Sequence, residues 1–300
     1  MLDRASTFAD REIVEMLKTR FVPVAIDQAN QRRQKDTEGE FYRKIASQGP
    51  RNNFRSTTQG FYVATPSGKS LLFNNNRHPE KVRRLLKEQL AEYDSLRSSE
   101  SSAKPMSRET TDARYSFSAP DGGLVVRVRT KVLGGYEPTD DRWRKIFQSA
   151  LSRDNLWVSK VEHESLCRGE FPAGLAQRLA RFHLVDNTRG EPPMWKVDEV
   201  RDLKLNIREG RVSGVAHVET EDGRRGFKAD LRGRIEVVEG KVVRFDLVAL
   251  GDFWGEGRYT RRAPKGKFPL AVSFELADGT DVADALQPQG SRGWVDRYLH

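Results

Sequence analysis

The stretch VDEVRDLKLNIREGRVSGVAHVETEDGRRGFKADLRGRIEVVEGKVVRFDLVAL, residues 197–250, decides the reading of the back of the chain. It reads as strand after strand: VDEVRDLKLNI, VSGVAHVET, GFKADLRGRIEVV and KVVRFDLVAL, each rich in β-branched or aromatic residues. The connections carry Glu209-Gly210, Asp222-Gly223 and Glu239-Gly240, pairs suited to tight hairpin turns because glycine reaches positive φ without strain. Alternation in Ile235 and Val237, and then in Val242, Phe245 and Leu247, gives a sheet with one buried face. The expectation is an antiparallel meander, curved or partly closed, with helices packed on it.

Before this meander, LVVRVRTKVL (124–133) reads as an alternating strand. Helices follow at DDRWRKIFQSAL (140–151) and GLAQRLARFHL (174–184). Residues 110–300 are therefore expected to form a β-rich α+β domain, and residues 96–109, LRSSESSAKPMSRE, a Ser-rich linker without apolar periodicity.

Residues 1–95 have a different rhythm. A helix is expected over 6–20, capped by Ser6 or Thr7, with Phe8, Ile13, Val14 and Leu17 on its apolar face. FVPVAID (21–27) reads as a short strand buried on both faces. A helix over 37–47 turns Phe41, Tyr42 and Ile45 inward. GFYVAT, PSGK and SLLFNN (60–75) give strand, turn and strand, and a helix over 78–93 places Val82, Leu85, Leu86 and Leu90 at helical spacing. The order is helix, strand, helix, hairpin, helix, an α/β arrangement.

Composition narrows the class. The 300 residues include 15 Phe, 5 Trp and 7 Tyr, too many for a disordered chain. No run approaches the ~20 apolar residues of a membrane span, and the charged start MLDRASTFADREIVEML shows no secretion signal. A soluble, cytoplasmic protein is the expectation for the sequence as written. The single cysteine, Cys167, excludes an internal disulfide and a Cys-x-x-Cys pair within these residues. Net charge is +9, spread over both halves, a field that raises encounter rates with anions without selecting one.

The first ninety-five residues resemble a thioredoxin-like domain. The matching pieces are Thr7-Phe8-Ala9-Asp10, Ile13-Val14, Leu17, Phe21-Val22-Pro23-Val24 and Asp27, followed by Thr65-Pro66-Ser67-Gly68-Lys69 in the hairpin. The resemblance implies an α/β fold and, in a complete family member, thiol–disulfide exchange. The family's strand and Cys-x-x-Cys, expected before the first helix, are missing. Thr57-Thr58-Gln59-Gly60 stands where the family has a cis-proline. As written, this incomplete domain cannot exchange disulfides, because it has no dithiol. Losing a central strand either makes 21–27 pair directly with 60–65 or leaves backbone groups unpaired.

Three functions stay open on these grounds. One is a redox-inactive thioredoxin-like scaffold or recognition module fused to a β-rich binding domain, with no cofactor and with an unknown protein or small molecule as partner. The second is a thiol–disulfide oxidoreductase whose Cys-x-x-Cys, or selenocysteine equivalent, lies upstream of Met1, which would also allow a periplasmic or extracytoplasmic location. The third is a basic polyanion-binding protein. No nucleic-acid-binding signature supports a nucleic-acid partner.

The candidate ligand or partner surface is GDFWGEGRYTRRAPKGKFPL (251–270), which sets Phe253, Trp254 and Tyr259 among Arg258, Arg261, Arg262, Lys265 and Lys267. Aromatic faces interleaved with cations can stack rings and hold anions. The plainer alternative is a corner whose aromatics plug the sheet while the arginines are solvated. His163 and Cys167, four apart in VEHESLC, are candidate metal ligands if that piece is helical, with His183 or His217 folding over to complete a site. The plainer alternative there is a buried cysteine beside a surface histidine. Glycines 251, 255 and 257 lack the Gly-Lys-Ser/Thr ending of a phosphate loop. Ser67-Gly68-Lys69-Ser70 has that ending but falls in a hairpin turn. Glu219, Glu221 and Asp222 read as charges at a hairpin tip.

Overall fold

A computed structural model describes residues 6–100, 112, 118–291 and 298–299. The chain divides into two compact units, residues 6–117 and 118–300. Of the expected linker at 96–109, residues 96–100 instead continue the preceding helix, and from 101 onward it lies outside the described residues.

The front unit contains helices α1 (Arg11–Arg20), α2 (Gln28–Gln31), α3 (Thr37–Ser47) and α4 (Pro79–Glu100), and a two-stranded antiparallel hairpin of β1 (Phe61–Ala64) and β2 (Ser70–Asn74). Helix α1 begins later than expected. Its cap is Asp10, whose carboxylate accepts the Ile13 N–H at 3.1 Å, while Thr7–Ala9 form a separate 3-10 turn. Ile13, Met16, Val82 and Leu86 make the core of this unit, with Phe21, Phe61 and Val63 packed against it. The Ser67-Gly68-Lys69-Ser70 turn is a hairpin turn as expected. Its Ser67 N–H and hydroxyl donate to Glu100 at 3.1 and 2.8 Å.

Residues 21–27 do not form the expected buried strand. Between α1 and α2, Val22–Ile26 make no backbone hydrogen bond to a described residue, and Val22, Val24 and Ile26 are 89%, 73% and 40% exposed. A strand needs a neighbour to bond its N–H and C=O groups. Among the described residues none is supplied, and the segment does not pair with β1.

In the back unit, seven antiparallel strands form one curled sheet, a half-barrel. They are β3 (Leu124–Val132), β4 (Asp154–Val158), β5 (Val200–Arg208), β6 (Arg211–Glu219), β7 (Gly226–Val238), β8 (Lys241–Trp254) and β9 (Lys267–Leu276). Their order across the sheet is β4-β3-β9-β8-β7-β6-β5. The meander is as expected, and its two tightest turns have both central residues at positive φ: Glu209 at 50° with Gly210 at 74°, and Glu239 at 50° with Gly240 at 73°. That geometry matches the twist of the flanking strands.

The inner face carries Phe227, Leu231, Ile235, Phe245, Leu247, Ala249, Phe253, Phe268, Leu270, Val272 and Phe274, all buried. Val237, expected inward with Ile235, is 39% exposed as the penultimate residue of β7, and the β7–β8 register shift beside it leaves the extra residue, Val243, on β8. Strong curl needs positions without a side chain. At Gly251 a Cβ would stand 1.8 Å from the Lys228 carbonyl oxygen on the neighbouring strand.

Helices α5 (Arg142–Ser149), α6 (Lys160–Cys167) and α7 (Ala173–His183) complete the unit. Helix α7 lies against β5 and β6 and also against β4, so it bridges the two edge strands of the half-barrel with Leu175 and Leu179 fully buried. Strand β4 was not expected. Its five buried residues, DNLWV, sit within a stretch read as helix-rich. On the other side of β3 and β4, Arg127 donates to both carboxylate oxygens of Asp284, Nε at 2.9 Å and Nη2 at 2.8 Å, and Arg153 donates to the same group at 2.5 Å. The Arg127 guanidinium holds the Asp284 carboxyl below its ordinary range. No described helix is long and apolar enough to cross a membrane.

Candidate functional site

Loop 255–266 joins β8 to β9 and contains most of the candidate surface. Strand alternation separates its first two aromatics. Phe253 points inward and packs against Phe227 and Phe268, with ring centroids 5.7 and 5.5 Å away, and against Trp195 at 6.4 Å. Trp254 points outward, donates its indole N–H to the Gly223 carbonyl at 2.9 Å and lies under the Lys267 ammonium at 5.1 Å. Phe253 is thus part of the core.

The loop itself is pinned from below. Thr260 is buried, and its hydroxyl accepts the Gly257 N–H at 2.7 Å. Its carbonyl oxygen accepts from Nε and Nη2 of Arg189, both at 3.3 Å. Arg189 is itself buried. It pairs with Asp186 through Nη2 and donates from Nη1 to the Tyr136 hydroxyl at 2.8 Å. Burial pushes the Tyr136 phenol above its ordinary range. The Asp186 carboxylate also accepts from the Thr188 N–H and hydroxyl, at 3.1 and 2.7 Å. Each partner in this cluster is charged or hydrogen-bonded, the condition under which buried ions are tolerated.

A second support lies beside it. Arg225 stacks on Trp195 at 3.9 Å and donates to the Pro193 carbonyl at 2.6 Å. Burial pushes its guanidinium down to about 10. Pro193 presses so closely on Gly257 that a Cβ there would stand 2.3 Å from the proline ring.

On this frame the cations face solvent. Arg258 lies over the Tyr259 ring at 5.3 Å, and Tyr259 is 62% exposed. Arg262, held at φ 74°, lies over Phe147 of α5 at 5.3 Å. Arg261 and Lys265 are exposed as well. None of these four cations makes an ion pair with a described residue. Positive φ is uncommon for a side chain of this size and persists only where the surroundings fix it. The result is a fixed loop presenting four cations without an ion pair among the described residues, with one exposed aromatic ring.

Histidine 163 and Cys167 do share one side of α6, but each is engaged. His163 Nδ1 bonds the Gly122 carbonyl at 3.0 Å, and its Nε2 accepts the Val242 N–H at 3.1 Å. The Cys167 thiol donates to the Gly240 carbonyl at 3.1 Å. With both ring nitrogens occupied, the imidazole has no lone pair to offer a metal. His217 sits on β6, its Nε2 3.0 Å from Glu219. His183 is buried between Asp154, 3.2 Å from Nδ1, and the Tyr298 hydroxyl, 2.7 Å from Nε2. Nothing gathers these histidines, and the described residues contain no group of three or more potential ligands.

Asp154, His183 and Tyr298 lie in succession, but His183 Nδ1 and Asp154 Oδ2, 3.2 Å apart, make no hydrogen bond with a described residue, and the His183 side chain has no exposure to solvent. The Asp154 carboxylate accepts the Asn155 and Gln289 N–H groups at 2.8 and 2.9 Å. The alignment therefore joins residues 289 and 298 to α7 and β4.

Sequence reading found the exposed arginines but not what holds them. Asp186, Thr188 and Arg189 lie in LVDNTRG, which looks like an ordinary polar loop, although residues 184–189 are all buried. Comparison with protein families, with curated proteins and with solved structures finds no match for this chain.

Proposed function

We propose that the chain is a binding protein whose back unit holds an anionic partner on loop 255–266. The observation that carries this reading is the pinned Thr260, which fixes a loop of four exposed cations that have no ion pair among the described residues. Preorganised donors lose little freedom when a ligand binds, so affinity is not spent on ordering them. Arginine suits carboxylate and phosphate groups because its planar fork donates two parallel bonds. The cations stand on an exposed loop, an arrangement suited to an acidic surface on a partner protein. Tyr259 adds a flat apolar contact of the kind favoured at interfaces.

In the same reading the front unit is a thioredoxin-like scaffold without a redox pair. The succession of helix, extended segment, helix, hairpin and helix supports it. The one cysteine of the chain, Cys167, belongs to the back unit and is engaged with Gly240.

The test is retention on immobilised polyglutamate. The chain is expected to bind, and the triple variant Arg258→Ala/Arg261→Ala/Arg262→Ala to elute at much lower salt with its unfolding midpoint unchanged. Equal retention of the two proteins would sink the reading.

A further inference from the structure

The outer face of the half-barrel carries a second cationic site, apart from loop 255–266. A depression of about 640 Å³ lies over β5, β6 and β7, and its lining includes Arg208, Arg211, Ser213, Asp230 and Arg232. These five are exposed and alternate with the buried Val212 and Leu231, so they share one face of the sheet.

The register brings them together. Arg208 pairs with Arg211 across the Glu209-Gly210 turn, and Arg211 pairs on its other side with Arg234. Ser213, next on the same face of β6, lies opposite Arg232. A serine among arginines leaves a hollow, and its hydroxyl makes no hydrogen bond with a described residue. The turn is held in place, since the Gly210 carbonyl accepts the Ile235 N–H of β7 at 2.8 Å. Arg234 lies opposite Asp246, whereas loop 255–266 leaves β8 after Trp254, so the two cationic sites are separate.

Like charges directly opposed across strands destabilise a sheet, and Arg208, Arg211 and Arg234 stand in one row. Arg234 is neutralised by Glu236. Arg208, Arg211 and Arg232 make no ion pair with a described residue, although Glu209 and Asp230 line the same hollow. A local rule broken in this way is the mark of a functional position, and an anion is what relieves opposed guanidiniums.

The chemistry of the anion follows from the geometry. A phosphoryl group carries about two negative charges and three acceptor oxygens, so it serves two guanidinium forks better than a singly charged carboxylate. Arg232 stands one same-face step from the Arg208–Arg211 pair, about 7 Å along the strands, a spacing that suits two phosphoryl groups on one small carbon skeleton. Glu209 and Asp230 limit the size. A long polyanion laid across the hollow meets their charges, whereas a compact ligand reaches the guanidiniums between them.

We propose that this hollow binds a small organic bisphosphate, with one phosphoryl group between Arg208 and Arg211 and the other at Arg232 beside the Ser213 hydroxyl.

Isothermal titration calorimetry of the full chain with fructose 1,6-bisphosphate is the test, with fructose 6-phosphate as the ligand short of one phosphoryl group. The bisphosphate is expected to bind, and the monophosphate to bind roughly tenfold or more weakly, since one charge-assisted hydrogen bond is worth about that factor. Arg232→Ser should bring the two ligands to equal affinity. Arg208→Ser/Arg211→Ser/Arg232→Ser should abolish binding of both, while its unfolding midpoint stays level or rises because the opposed charges are gone. The loop variant Arg258→Ala/Arg261→Ala/Arg262→Ala should keep full affinity for the bisphosphate, so this site and the polyglutamate site stand or fail separately. Absence of bisphosphate binding overturns the inference. So does binding that the Arg208/Arg211/Arg232 variant retains, or that the loop variant loses equally.

Discussion

Arg189 donates twice to the carbonyl oxygen of Thr260, from Nε and from Nη2, across 71 positions of sequence. This contact ties a buried ion pair to the backbone of a surface loop. It makes the orientation of Arg258, Arg261 and Arg262 depend on a residue that never meets solvent. Replacing Arg189 by Met leaves Asp186 buried without its cation, and the loss of one partner of a buried pair is worth about 3–5 kcal/mol. Urea unfolding should register that loss. Replacing Asp186 by Leu at the same time should be milder than the sum of the two single changes.

Gly251 lets β7 and β8 approach closely: a Cβ there would meet the Lys228 carbonyl at 1.8 Å and the Ala229 Cα at 2.7 Å. Gly251→Ala must push two paired strands apart, and overpacking of this kind costs about 1–3 kcal/mol. Gly240→Ala is the comparison: a Cβ there meets nothing within 4 Å, and its cost comes from φ 73° alone. Denaturation midpoints of the two variants separate packing from backbone strain.

Tyr62 gives the front unit an alkaline limit. Its hydroxyl donates to the Thr58 carbonyl at 2.7 Å, and burial pushes the phenol up to about 12. The folded form thus keeps its proton above the ordinary value of 10, so unfolding releases protons at high pH. The associated stability is present below pH 10 and is lost as pH rises towards about 12. Unfolding curves through this range should show the decline. Tyr62→Phe should flatten it, at a loss of about 1 kcal/mol for the hydrogen bond.

His163 bridges Gly122 and Val242 through its two ring nitrogens. His163→Ala leaves a carbonyl and an N–H without partners, a loss of about 1–3 kcal/mol where they stay dry. Zinc should leave the melting temperature of the unaltered chain where it is. A zinc-dependent rise abolished in Cys167→Ser would show that the thiol and imidazole release their present partners for metal.

Much of the back unit is legible in the sequence because its signals are local. The Glu209-Gly210 and Glu239-Gly240 turns announce themselves, and the β7 and β8 alternation marks the buried face. Val237 escapes that pattern because it stands beside the turn that ends β7, where Val238 is exposed too and alternation no longer meets the core. Residues 21–27 have every local feature of a strand, yet strand formation depends on a neighbour. The frame beneath the cationic loop is the least legible part. Asp186, Thr188 and Arg189 are polar residues whose burial follows from Thr260 and Tyr136, distant in sequence, so nothing nearby distinguishes them from a solvated turn. Strand β4 shows the same limit: it is too short for alternation to separate it from the helices around it.

The most direct measurement of the account is the affinity of the chain for polyglutamate at several salt concentrations, alongside the Arg258→Glu/Arg261→Glu/Arg262→Glu variant. Binding through the cationic loop predicts affinity that falls steeply as salt rises, because neutralising opposite charges releases condensed ions and screening weakens the attraction. It also predicts that the variant loses both the affinity and the salt slope while unfolding at the same denaturant concentration. A variant that binds as tightly as the unaltered chain, with the same salt slope, would show that the diffuse charge of +9 does the binding and that the loop is merely solvated.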